Sequence, residues 1–229
     1  MSKGIFVTAT GTDVGKTYVC GLLVKKVRDL NINCGYYKPV LSGLERIGDK
    51  LIPGDAQYVL KTAGIESEPM DSVSYAFEPA VSPHLASRMA NRQISVEKII
   101  SDFSNKSKMY DYLVVEGAGG ITCPFSMDGE VILLDDVIKS LNMDILVISP
   151  AGLGSINYAL LTVEYAKQKG INVRGIILNG YEKDNFMHID NKKCIEKLTG
   201  IPVVAVVEHN AKELNIEKDV LLNLFKEIK

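Results

Sequence analysis

Gly15, Lys16 and Thr17 close the stretch TATGTDVGKT, residues 8–17, which follows the apolar run Ile5-Phe6-Val7. Glycine, lysine and a hydroxyl in that order suit a polyphosphate. Gly15 lets the backbone approach a phosphate without a Cβ clash. The amides at the start of a following helix offer a positive dipole to an anion. Lys16 supplies a point charge for the β and γ phosphates, and Thr17 a hydroxyl for Mg²⁺. The match to G-x-x-x-x-G-K-[ST] is incomplete, because Thr10 stands where the first glycine belongs. An ordinary strand-to-helix turn capped by Thr12 or Asp13 would also produce such a stretch. Its place directly after an apolar first strand favours a nucleotide site.

Acids and a second lysine recur at comparable places. LVVEGAGG, residues 113–120, carries Glu116 at the end of an apolar run, with Gly117, Gly119 and Gly120 opening the next turn. A carboxylate at the carboxyl end of a buried strand can hold Mg²⁺ directly or through water. YYKPVLSG, residues 36–43, puts Lys38 beside the rigid Pro39, with Ser42 and Gly43 able to curl over a ligand. Lys38 alone reads as a solvated lysine; next to a phosphate loop it reads as a second cation for the phosphates. PGDAQYVL, residues 53–60, places Asp55 where a helix N-cap is expected, and capping explains it without any function.

Such residues must be positioned by a repeating scaffold. Short β-rich apolar runs at residues 4–9, 34–40, 111–116, 144–149, 173–178 and 203–207 alternate with helical patterns at 18–30, 155–169 and 185–198. Strands apolar on both faces imply a mostly parallel sheet covered by helices on each side, a doubly wound α/β fold. Residues 41–110, with four prolines at 53, 69, 79 and 83, read as connections and helices over the carboxyl edge of the sheet. Residues 1–229 contain no repeat, low-complexity tract or linker that would divide them, so a single domain is expected.

Composition narrows the function classes. Hydrophobic residues make up 46% and charged residues 24%, with a formal net charge of -2. That balance suits a soluble globular chain and supplies no basic field for nucleic acid or an anionic membrane. No apolar run nears the roughly 20 residues that span a bilayer, and the amino terminus does not read as a signal peptide. Cys20, Cys34, Cys123 and Cys194 form no C-x-x-C pair and read as reduced core thiols of a cytoplasmic protein. His84, His188 and His209 lack metal-ligand spacing, and Tyr36, Tyr37 and Tyr110 read as packing residues.

Taken in order, V-G-K-T at 14–17, K-P-V-x-S-G at 38–43, G-D-A at 54–56, V-E-G-A-G-G at 115–120 and GLGSINYALLT at 152–162 span nearly the whole chain. This set resembles the dethiobiotin synthetase family, whose fold is that of the P-loop NTPases. The resemblance implies an ATP-dependent ring closure in biotin synthesis. Carbon dioxide would add to one amine of 7,8-diaminononanoate as a carbamate, ATP would phosphorylate it, and the other amine would close a cyclic urea with loss of phosphate.

It also implies roles. Lys16, Lys38 and Thr12 would act on the transferring phosphoryl and the carbamate. Thr17, Asp55 and Glu116 would hold Mg²⁺. Asp13, Val14, Gly15, Lys16, Thr17, Gly117, Ala118 and Gly119 would hold the nucleotide's phosphates and metal. Asn179 and Gly180, with Glu208, His209 and Asn210, would lie near the base. Ser42 would contact the reacting end of the substrate. Gly152, Leu153, Gly154, Ser155 and Asn157 would bind its carboxylate tail from the second subunit of a homodimer, where glycine turn and helix start also suit packing alone. The loop departs from the family in Ala9, Gly11 and Asp13, so its glycine has moved along the loop. The alternative is a partition or septum-positioning ATPase switch of the same loop class. Its usual K-G-G-x-G-K opening is absent and no amphipathic membrane tail is evident, the terminal DVLLNLFKEIK being the one stretch amphipathic enough to keep that alternative open.

Overall fold

The computed structural model describes residues 2–228. The chain opens with β1 (Lys3–Ala9), α1 (Lys16–Arg28) and β2 (Cys34–Ser42). A hairpin of β3 (Glu45–Ile47) and β4 (Lys50–Ile52) leads to α2 (Gly54–Thr62), β5 (Val73–Phe77), α3 (Pro83–Met89) and α4 (Val96–Ser107). Next come β6 (Tyr112–Glu116), a hairpin of β7 (Pro124–Ser126) and β8 (Ile132–Leu133), and α5 (Leu134–Ser140). The remainder is β9 (Ile145–Pro150), α6 (Ser155–Gln168), β10 (Val173–Asn179), α7 (Phe186–Thr199), β11 (Val203–Val207), α8 (Lys218–Asn223) and β12 (Lys226–Glu227).

The main sheet runs β11-β10-β9-β1-β6-β2-β5, every neighbouring pair parallel, and β12 adds antiparallel to the start of β1. Strands of period 2 send alternate side chains to opposite faces. Ile5 and Val7 therefore pack with Val19, Leu23, Ala56 and Val59 of α1 and α2, while Phe6 packs with Ile99, Val137, Ala159 and Ile195 of α4 to α7. Both faces are covered, which is why the strands read as continuous apolar runs.

The chain leaves β1 for β2 and β5, returns to β6 beside β1, and only then builds β9, β10 and β11 on the other side. The reversal at β1 opens a crevice at the carboxyl ends of β1 and β6, where ligands bind in sheets of this kind.

Two expectations change here, and the C-terminal segment is accounted for. Residues 41–110 do not merely cover the carboxyl edge, because β5 is the edge strand of the sheet itself. Its Val-Ser-Tyr-Ala-Phe run is too mixed to read as a buried strand, and an edge position demands less apolarity. The second strand runs on to Ser42, paired opposite Phe77, so Ser42 is held in the ladder and is not part of a curling loop. The amphipathic C-terminal segment is not a free tail: Leu221, Leu224 and Phe225 are buried against the α1 face.

Candidate functional site

The loop between β1 and α1 is shaped by two left-handed residues, Asp13 at φ 58° and Gly15 at φ 89°. Gly15 itself is the N-cap of α1, so neither Thr12 nor Asp13 caps the helix as a plain turn would require. A Cβ on Gly15 would collide with Asn179 Nδ2, which donates 3.0 Å to the Val14 carbonyl and clamps the loop to the end of β10. Gly11 lies outside the left-handed region, and a Cβ there would meet Val14 at an ordinary 4.0 Å. The displaced glycine therefore does not replace the missing one; the unusual backbone geometry sits at Asp13.

Glu116 ends β6 with its side chain fully buried, on the same sheet face as Tyr36 and Lys38 of β2. Oε1 accepts from Thr17 Oγ1 at 2.8 Å and from Lys38 Nζ at 2.7 Å, and Oε2 accepts from Tyr36 Oη at 2.8 Å. Lys38, only 4% exposed, also donates to Asp55 Oδ2 at 2.5 Å. Buried charges persist when paired and hydrogen-bonded in this way. Burial works to lower the Lys38 pKa, but Glu116 and Asp55 outweigh it and hold the ammonium well above the usual lysine range. Burial alone would raise the Asp55 carboxyl; the charge and hydrogen bond of Lys38 hold it below its usual value instead. Burial lowers Lys16, with Glu116 opposing the shift.

Asp55 is not an N-cap. That position is Pro53, and Asp55 lies in the first turn of α2, turned toward Lys38. The sequence could place it near a helix start but not show which way it faced.

These groups border one cavity of about 640 Å³. Its lining brings together Thr12, Asp13, Gly15, Lys16, Thr17, Lys38, Ser42, Asp55, Glu116, Ala118 and Gly119 from the sequence expectation. It adds Val40 and Gly54, which the motifs at 38–43 and 54–56 contain without a role, and Tyr18, Glu45 and Tyr58, which no motif marked. Tyr18 directly follows Thr17 and could have been suspected; Glu45 arrives through the β3–β4 hairpin, which carries no motif. Val14 and Gly117 stand behind this surface, where a Cβ on Gly117 would press on Leu134 and Phe6.

The remaining candidates lie elsewhere in the chain. Glu208 and His209 border a separate hollow of about 660 Å³ with Tyr181 to Phe186, and Glu208 pairs with Lys183 at 2.5 Å. Gly180 and Asn210 adopt left-handed turns at the ends of β10 and β11. Asn179 joins that corner to the phosphate loop, and Tyr18 Oη joins α1 to it by donating to the Ala211 carbonyl at 2.5 Å. Gly152 to Asn157 form the turn after β9 and the start of α6, with Gly154 at φ 89°, Leu153 89% exposed and Asn157 exposed. Among the described residues this turn does not border the 640 Å³ cavity of its own chain.

The donor set also bears on a metal. Thr17, Asp55 and Glu116 offer a hydroxyl and two carboxylates, all hard oxygen donors, which fit Mg²⁺ completed by substrate phosphates. Among the described residues no group of three or more His, Cys, Asp or Glu is arranged to hold a metal by itself.

Residues 3–215 match the AAA domain family. The ATP-dependent dethiobiotin synthetase BioD of Clostridium botulinum strain Loch Maree is 50% identical over 228 residues, covering 100% of both chains. Its counterpart in strain 657 is 51% identical over the same span. The chain belongs to the dethiobiotin synthetase family. It is therefore an enzyme, of an ATP-dependent ligase family. Among solved structures, the septum site-determining protein MinD of Pyrococcus horikoshii, complexed with Mg-ADP, aligns with TM-score 0.57 at 14% identity over 92% of this chain and 82% of its own. A ParA family ATPase from Chlorobium tepidum aligns with TM-score 0.53 at 14% identity, over 98% and 89%. At that identity the likeness establishes the shared α/β fold alone, so it does not favour the switch reading.

Proposed function

We propose that this family member converts 7,8-diaminononanoate, carbon dioxide and ATP into dethiobiotin, ADP and phosphate in biotin biosynthesis. The observation that carries the proposal is the Lys38–Glu116–Thr17–Asp55 cluster on the wall of the phosphate-loop cavity. A nucleotide-binding module needs the loop, but not a buried lysine shared by two acids beside it. The family names support the same reaction.

The residues divide the work. Lys16 and the loop amides of residues 13–17 hold the β and γ phosphates, the positive end of α1 adding its dipole. Lys38 faces the point where the carbamate oxygen meets the γ-phosphate and neutralises charge gathering there, the main demand in phosphoryl transfer. Thr12 and Ser42 orient the reacting amine and carbamate. Thr17, Asp55 and Glu116 would hold Mg²⁺, which would supply positive charge to offset that of the phosphates. The second amine then displaces phosphate from the carbamic-phosphoric anhydride, forming the ring's last C–N bond.

Asn179, Gly180, Glu208, His209 and Asn210 take the base end of the nucleotide. The exposed turn of residues 152–157 serves the cavity of a second copy, its amides receiving the substrate carboxylate across a homodimer. The whole chain acts as one synthetase domain, in the cytoplasm. Purified protein with ATP, Mg²⁺ and bicarbonate should release phosphate only when the diamine is added. Diamine-independent hydrolysis stimulated by DNA or lipid would refute the proposal in favour of a switch. Sedimentation should show a dimer that Leu153→Glu disrupts together with turnover; an active monomer would exclude the shared site.

A further inference from the structure

We infer that Tyr36 is a positioning residue that sets which oxygen of Glu116 meets the metal; this rests on the reading of Glu116 as a metal-holding carboxylate. Tyr36 is buried on β2, opposite Val114 of β6, and Glu116 lies two residues further along β6 on the same face. Two residues along β2 stands Lys38. One strand face therefore presents a phenol and an ammonium to the two oxygens of one carboxylate. Tyr36 Oη holds Oε2 at 2.8 Å, while Lys38 and Thr17 meet Oε1.

The terminal torsion of a glutamate is broad and does not choose an orientation by itself. With Oε1 facing Thr17 and the cavity, the bond from Tyr36 to the far oxygen fixes the carboxylate plane. It also keeps Oε2 satisfied where no water competes, since a buried acceptor without a donor is costly. Glu116 thus presents one oxygen rather than two toward Thr17 and Asp55. Outer partners of this kind orient the ligands of a metal without touching it. The neighbouring Tyr37 provides an internal contrast. It points to the opposite face and its hydroxyl pairs with Ser74 at 2.6 Å, away from Glu116 and Asp55.

Manganese titration followed by electron paramagnetic resonance, in the presence of ADP, reads metal binding without turnover. Tyr36→Phe keeps the ring and should raise the Mn²⁺ dissociation constant about tenfold or more, the usual range for outer-shell losses. Tyr37→Phe, which removes an equally buried hydroxyl, should leave it within twofold. In turnover assays Tyr36→Phe should raise the Mg²⁺ concentration needed for half-maximal rate, with KM for the diamine unchanged. Unaltered Mn²⁺ affinity in Tyr36→Phe, or equal shifts in both variants, would overturn the inference while leaving the reaction intact. Wild-type protein that binds no Mn²⁺ with ADP would overturn the metal reading of Glu116 and this inference with it.

Discussion

Lys38→Ala tests the site most severely, because the structure predicts two separable losses. Lys38 is the cation that touches both Glu116 and Asp55, and Glu116 has no solvent exposure. Removing one partner of a buried pair costs about 3–5 kcal/mol, since it leaves an uncompensated buried charge. For a chain of this size each kcal/mol is worth roughly 2–4 °C, so melting should fall by roughly 6–20 °C. Losing a charge aimed at the reacting oxygens should also lower kcat by about 10²–10³.

A double-mutant cycle separates the two effects. Lys38→Ala with Glu116→Gln removes the stranded carboxylate along with its partner, so it should recover much of the melting temperature. It should recover none of the turnover. The measurements are thermal unfolding without ligand and diamine-dependent phosphate release. If Lys38→Ala melts within 2 °C of wild type and turns over at a similar rate, the reasoning about Lys38 fails on both counts.

Other outcomes follow from neighbouring features. Gly15→Ala must place a side chain at φ 89° against Asn179, so it should abolish measurable ADP binding by calorimetry while circular dichroism stays native. Asp55 is held below its unfolded pKa, so the stability it contributes is present above about pH 4 and is lost as pH falls through its lower folded value. Asp55→Asn should accordingly flatten part of the acid limb of a stability–pH curve; an unchanged limb would remove Asp55 from the ion-pair network. Phe225→Ala, which empties a core position under α1, should cost about 3–5 kcal/mol in denaturant unfolding. A loss under about 1 kcal/mol would mean that the C-terminal segment is not docked.

Local chemistry in the sequence was enough for several features. Continuous apolar runs with helical patterns between them determine a parallel, doubly covered sheet, because such strands must be buried on both faces. Gly15-Lys16-Thr17 after the first strand, Glu116 at the end of the run 113–116, and Lys38 in the second strand are legible as residue type at a strand edge. Nothing local decided which way Asp55 turns or that Ser42 lies in a ladder. Nor could it show that Gly11 is conformationally ordinary while Asp13 is left-handed. Those depend on neighbours remote in sequence: Lys38 for Asp55, Phe77 for Ser42, and the clamp of Asn179 on Val14 for the loop. Tyr36 shows the division most clearly. Its sequence neighbours make it a packing residue, and it packs, but its hydroxyl meets an acid 80 residues away because parallel pairing puts β2 beside β6. A residue's type determines which bonds it can make, and strand order and register determine which partner is there to make them.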